Sequence, residues 1–223
     1  MMLSPAPEMT TAVTDGLFGI LAFFFAYKLG GKTNDVRTKL WRYVLAGTGA
    51  SAVLGVPAHA LYAIAGANPP NLAAQTMYWA FLGFFLFFMA TMLGIAVLND
   101  ISGGKYLKKI SVIIGCAGIV FYALYFAVAV MQIIAGYFIV FIGYSALIMI
   151  FALISYIVLY IRRKDAGYLF IAAAVLVAVI ANVLQASRSI FFTVIWAFDY
   201  NSVYHFVMMI SMYLFYRGVK KPA

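Results

Sequence analysis

Long apolar runs broken by short polar stretches set the pattern of this chain. They predict helices over about 11–29, 41–65, 72–98, 110–130, 136–161, 167–186 and 202–216. Each run is about the length an α-helix needs to cross the hydrocarbon core of a bilayer. The breaks have recognisable chemistry. Lys28, Lys32, Arg37, Lys39 and Arg42 surround the first, and Asn68-Pro69-Pro70-Asn71 forms an uncharged second. Asn99-Asp100 and three lysines close the third run, and Arg162, Arg163 and Lys164 close the fifth. Between 110 and 161 the chain is apolar almost throughout, which is room for two spans. Their turn is expected near Met131 to Gly136, where Gln132 and Gly136 are the weak points.

Composition turns the pattern into a class. Two thirds of the 223 residues are hydrophobic (66%) and only 9% are charged, outside the range of soluble domains. The expectation is an all-α, multi-pass integral membrane protein, a single seven-helix bundle over 1–223, in the cytoplasmic membrane if the cell is prokaryotic. The net charge of +9 raises a nucleic-acid reading, which its placement excludes. Fourteen of the fifteen basic residues lie beside one set of span ends, and only Arg188 lies at the other. That asymmetry predicts an outside N-terminus and a cytoplasmic C-terminus. The basic residues then face anionic headgroups. The stretch before Thr14 has no Lys or Arg, so the first run is expected to stay as a span rather than be removed as a leader. A lone Cys116 excludes an intramolecular disulfide.

With that topology each polar residue acquires a depth. Asp15, His59, Gln75, Asn182, Gln185, Arg188, Asp199, Asn201 and His205 all fall toward the outer ends of their spans. Ionisable groups at membrane depth are costly and turn inward toward a site or toward one another. Asn201 and His205, four apart, share a helix face, and Asn182, Gln185 and Arg188 share another at intervals of three. Gly47, Ser51, Gly55 and His59 form a ridge of small residues ending in an imidazole, which lets a neighbouring helix approach closely, segment seven being the natural one. Plainer roles exist for the same residues. Asp15, Asp199 and Asn201 suit helix caps, and Arg188 suits a headgroup anchor.

At these residues the chain resembles the CREST superfamily of seven-span proteins, which includes alkaline ceramidases and the progestin and adipoQ receptors. Gly55-Val-Pro-Ala-His59 looks like that family's second-helix Ser-x-x-x-His element, and Asn201-Ser-Val-Tyr-His205 like its seventh-helix His-x-x-x-His. Asn201 stands where the family has a histidine, Gly55 where it has a serine, and the third span has no acid. The resemblance implies an intramembrane zinc on His59 and His205; the family pattern supplies no third ligand here, a place that Asp199 or Asp15 could fill. Asp15 and Asn201 would serve the chemistry, Asn201 by steadying a water or a lipid carbonyl. Gln75, Asn182, Gln185 and Arg188 would line the substrate's place. The implied activity is hydrolysis or sensing of a membrane lipid amide or ester. Two alternatives stay open: a non-catalytic lipid-binding or accessory subunit of a membrane complex, and a haem or pigment held between two histidines.

Overall fold

The computed structural model describes residues 3–30, 35–65, 69–131 and 138–220. Seven helices follow one another: α1 (Ala6–Leu29), α2 (Val36–Ala60), α3 (Leu72–Ser102), α4 (Leu107–Val130), α5 (Phe138–Arg163), α6 (Ala166–Ser187) and α7 (Tyr200–Lys220). A hairpin of two short strands, β1 (Phe191–Thr193) and β2 (Ala197–Asp199), stands between α6 and α7. The expected turn between the fourth and fifth runs falls at 132–137, outside the described residues.

Several helices begin earlier than the apolar runs do. Asp35 accepts the amides of Arg37 and Thr38 (3.3 and 2.9 Å) and so starts α2 at Val36, five residues before Trp41. Partial burial acts to raise the Asp35 carboxyl, but hydrogen bonds from Thr38 and Arg37 outweigh it and hold the group below its ordinary value. Arg37, Lys39 and Arg42 therefore lie on a helix rather than in a connection. The same helix stops at Ala60 instead of running to Ala65, soon after Pro57, which has no amide to donate. Three residues before that proline, Tyr78 of α3 donates to the Leu54 carbonyl (2.7 Å).

Among the described residues α1, α3, α4, α5 and α6 are long and apolar enough to cross a membrane. On α4 and α5, Val112, Ile113, Ile119, Val120, Ile139, Ile142, Leu147, Ile150 and Ile154 all lie exposed. An apolar surface so extensive is untenable in water and ordinary against lipid. The protein is a multi-pass integral membrane protein. The two helices that fall short, α2 and α7, are those bearing His59 and His205.

Six helices close a ring in the order α1, α2, α3, α5, α6, α7, and α4 packs outside it against α3 and α5. Two glycine crossings draw neighbours together. A Cβ on Gly19 of α1 would stand 3.0 Å from the Gly49 carbonyl oxygen of α2, and one on Gly49 3.1 Å from that of Gly19. Gly167 of α6 and Gly218 of α7 meet the same way, at 2.8 and 2.7 Å. The expected ridge behaves differently. Gly47 faces Phe88 and Met89 of α3, whereas Gly55 faces Asp15 of α1, so the ridge splits between two neighbours instead of serving α7. Gly218→Val meets the Gly167 carbonyl oxygen and the Ile171 amide as well as the Ile171 side chain, so side-chain rotation alone does not relieve the clash. It should cost about 1–3 kcal/mol, the usual range for overpacking, read as a lowered melting temperature in detergent.

The ring encloses a cavity of about 90 Å³ to which each of its six helices contributes, among them Phe18, Thr48, Ala90, Ser145, Asn182 and Met208. No α4 residue lines it. At the end of the bundle holding Arg37 and Asp100, Trp41 lies fully buried against Tyr156 and Phe215.

Candidate functional site

The polar face of α1 carries the site. Glu8, Thr11, Asp15 and Phe18 follow at intervals of three and four, so they line one side of the helix. Opposite them stand the last turn of α2 and the first turns of α7. His59 places Nδ1 2.7 Å from Glu8 Oε2, and its Nε2 lies 3.9 Å from Asp15 Oδ2. His205 places Nε2 3.0 Å from Asp15 Oδ1 and Nδ1 3.0 Å from Thr14 Oγ1. Thr14 Oγ1 also donates to the Thr11 carbonyl (2.9 Å). The result is one file: Glu8, His59, Asp15, His205, Thr14. It runs from a partly exposed carboxylate to buried groups, with Asp15 and His205 both nearly sealed.

Close packing brings the file together. A Cβ on Gly55 would collide with the Asp15 carboxylate, so only glycine at that position lets Asp15 lie against α2 beside His59. On the α7 side, the Phe18 ring stacks on the His205 ring (centroids 6.0 Å, 18°), and the Tyr204 ring meets it edge-on at 5.3 Å. Phe18 and Tyr204 also line the central cavity, so these two rings separate the polar file from an apolar chamber.

Proton counting shows what the file lacks. Glu8 as a carboxylate can only accept, so His59 donates from Nδ1 and its Nε2 carries the lone pair. With the Thr14 proton on the Thr11 carbonyl, His205 Nδ1 donates to Thr14 and its Nε2 also carries a lone pair; with that proton directed to Nδ1, Nε2 donates to Asp15 instead. In the first of these two tautomers both lone pairs face the same carboxylate. Such an arrangement calls for a positive charge between them, either a proton or a metal ion. Ligating histidines characteristically donate their other ring nitrogen to a carboxylate or similar acceptor, as both do here.

Donor atoms around a tetrahedral zinc with bonds of about 2.0–2.1 Å stand roughly 3.3 Å apart. The two nitrogen–oxygen separations, 3.0 and 3.9 Å, lie on either side of that value. Two imidazoles and a carboxylate fit zinc in kind and number. Among the described residues, however, no group of three or more His, Cys, Asp or Glu is placed so that it could hold a metal ion. A haem does not fit the space: the Asp15 carboxylate lies between the imidazoles, packed on Gly55.

The other sequence-derived candidates take different places. Asp199, expected as a metal ligand, accepts from the Thr11 hydroxyl (2.9 Å), the Ser202 amide (2.9 Å) and the Ser202 hydroxyl (2.7 Å), while its own amide donates to Ser202 Oγ (2.9 Å). That reciprocal pairing caps the start of α7. Asp15, for which a capping role was equally open, instead lies well inside α1, because the helix begins at Ala6. Asn201, expected beside His205, accepts from Gln185 Nε2 (3.0 Å) and ties α7 to α6. Asn182 lines the central cavity and donates to the Ala178 carbonyl of its own helix (2.7 Å). Arg188 is exposed at the end of α6 in a left-handed conformation. Gln75 sits in the first turn of α3, half-buried.

Sequence reasoning missed Glu8, Thr11 and Thr14, because the first helix was expected to begin at about Thr11. Extending α1 one turn earlier would have put Glu8 in register with Asp15. It also missed a second polar centre at the other end of the bundle. There Arg37 Nε lies 3.0 Å from both Asp100 oxygens, Tyr156 Oη donates to Asp100 Oδ2 (3.0 Å), and Arg37 Nη1 donates to the Val219 carbonyl (3.4 Å).

No curated protein and no solved structure matches the chain. A family model does match, over residues 10–223, which takes in both polar centres apart from Glu8. The chain belongs to that family, a family of unknown function (DUF6962).

Proposed function

We propose that the file around Asp15 is a metal-binding site of a divergent, CREST-like membrane protein that acts on or senses a membrane lipid. In this reading all seven helices cross the bilayer, with the N-terminus and the site outside and the C-terminus in the cytoplasm. The placement of the basic residues supports that orientation. The observation that carries the proposal is the convergence of His59 Nε2 and His205 Nε2 on one carboxylate, each with its other nitrogen already engaged.

His59, His205 and Asp15 would hold the ion, with Asp15 taking the place that Asp199 was expected to fill. Bound zinc supplies Lewis acidity toward a carbonyl and activates water for attack on an amide or ester. The chain's own part is to orient. Glu8 and Thr14 fix the two imidazoles. Gln185 and Asn201 hold α6 and α7 together beside the site. An apolar lipid tail would lie in the cavity beyond Phe18 and Tyr204, and these two rings would have to part for its polar end to meet the file.

A second reading is favoured by the file's completeness with a single shared proton: a lipid-binding or accessory bundle without turnover. The two readings part on zinc binding. Glu8→Ala frees His59 Nδ1, and loss of such an outer partner typically weakens a metal site roughly 10–100-fold. Competition with a chelating dye should show that loss for zinc in the Glu8→Ala protein. A wild-type protein that holds no zinc against the dye would favour the metal-free reading, and equal retention in both proteins would mean that the zinc is not held through His59 and Glu8.

A further inference from the structure

The hairpin between α6 and α7 has no counterpart in the site just described, and its surface is unusual for a loop. Its register pairs Phe191 with Asp199, Phe192 with Phe198 and Thr193 with Ala197, leaving Val194-Ile195-Trp196 as the tip. The tip residues are 75%, 83% and 64% exposed, and Phe191 and Phe192 are exposed as well. From Ser189 to Phe198 there is no charged side chain. Exposed strands in water normally carry lysines, prolines or other charges that prevent edge-to-edge pairing, and this hairpin has none of them.

Connectivity puts the hairpin at a membrane surface. It follows within a few residues of the end of α6, a helix long and apolar enough to span the bilayer. Its face continues the lipid-facing side of the bundle. Phe192 stacks on Phe198 (centroids 5.3 Å, 19°), and Phe198 meets Phe206 of α7 at 6.1 Å, itself an exposed side chain. An aromatic strip thus passes unbroken from the flank of α7 onto the hairpin. Trp is the residue most at home where hydrocarbon gives way to headgroups, and Trp196 stands at the far end of that strip.

We propose that the hairpin is an interfacial anchor: its Val194-Ile195-Trp196 tip inserts into the lipid leaflet on the side of the bundle that carries the His–Asp file. Its other face is held rigidly. Asp199, at the base of β2, accepts from Thr11 of α1 and from Ser202, one helical turn from Thr14 and Asp15. The anchor therefore sets the mouth of the file against the lipid surface. This inference needs only the membrane placement of α6, so it stands or falls separately from the metal.

The test uses tryptophan fluorescence of the full chain in nanodiscs holding one protein each. The signal of Trp196 is taken as the difference between wild type and Trp196→Phe, because Trp41 is fully buried in the core and replacing it endangers the fold. Phospholipids brominated near the headgroup end of the acyl chain should quench the Trp196 signal strongly, and aqueous iodide should not. A spin label on Ile195→Cys, in a Cys116→Ser background, should report the same shallow depth by its greater accessibility to oxygen than to a water-soluble nickel complex. Quenching by iodide would overturn the proposal in favour of a hairpin standing in water. Protection from both quenchers would overturn it in favour of a hairpin covered by protein.

Discussion

An Arg37→Met variant should lose about 3–5 kcal/mol of stability, because removing one partner of a buried ion pair leaves the other charge without compensation. Asp100 is nearly sealed from solvent, and both its oxygens lie 3.0 Å from Arg37 Nε. Without the guanidinium the carboxylate keeps the Tyr156 hydroxyl, at 3.0 Å, and the Asn99 side chain, neither of which carries a charge. The guanidinium also reaches the Val219 carbonyl near the end of α7 and lies over the Tyr168 ring of α6, with its carbon 5.6 Å from the centroid. One side chain thus links α2 to α3, α6 and α7 at the end opposite the His–Asp file, and Asp100 carries the link on to α5 through Tyr156. The expected result is a melting temperature in detergent lower by roughly 10 °C. The double variant Arg37→Met, Asp100→Leu should recover most of the loss, since it buries neither charge. Unchanged melting of the single variant would show that the pair does not hold the ring closed.

Gly55→Ala should have the opposite character, harming the site while sparing the fold. Its new methyl would collide with the end of the Asp15 side chain, which can rotate aside at small cost. The carboxylate cannot then remain between His59 and His205. Since even loss of a ligand's outer hydrogen-bond partner weakens metal sites roughly 10–100-fold, displacing a ligand should lower zinc affinity by at least about a hundredfold. The check is a chelator competition beside a melting curve. Little change in melting together with lost affinity is expected. Full zinc affinity in Gly55→Ala would mean that Asp15 does not belong to the donor set.

The bundle was legible in the sequence because lipid admits only long apolar runs as spans and charges their ends consistently. Helix ends were less legible. Polar first turns such as Val36 to Leu40, capped by Asp35, read like loops when judged by hydropathy alone. That shift decided the site. His59 and His205 stood out as rare ionisable groups at membrane depth, but choosing between Asp15 and Asp199 required knowing where α1 begins. Once α1 starts at Ala6, Asp15 is a mid-helix acid facing Gly55, and Asp199 becomes the cap of α7. The small-residue ridge was readable as a close approach but not as two different approaches, since spacing along one helix does not name its neighbours. The hairpin left a signal that was passed over: Ile190, Phe191, Phe192, Thr193, Val194 and Ile195 are a run of β-branched and aromatic residues too short for a span. The Arg37–Asp100 pair joins residues 63 positions apart, and nothing local in either stretch points to the other.

Metal content of the purified protein tests the central claim most directly. It should be measured by mass spectrometry after purification without chelators, on wild type beside His59→Ala, His205→Ala and Asp15→Asn. About one zinc per chain in wild type, lost in all three folded variants, is the predicted result, in keeping with a site of three protein ligands. A wild-type protein that stays metal-free when zinc is supplied, with its fold intact, would contradict it. The positive charge between the two histidines and Asp15 would then be a proton, and the file a structural network above a lipid-binding cavity.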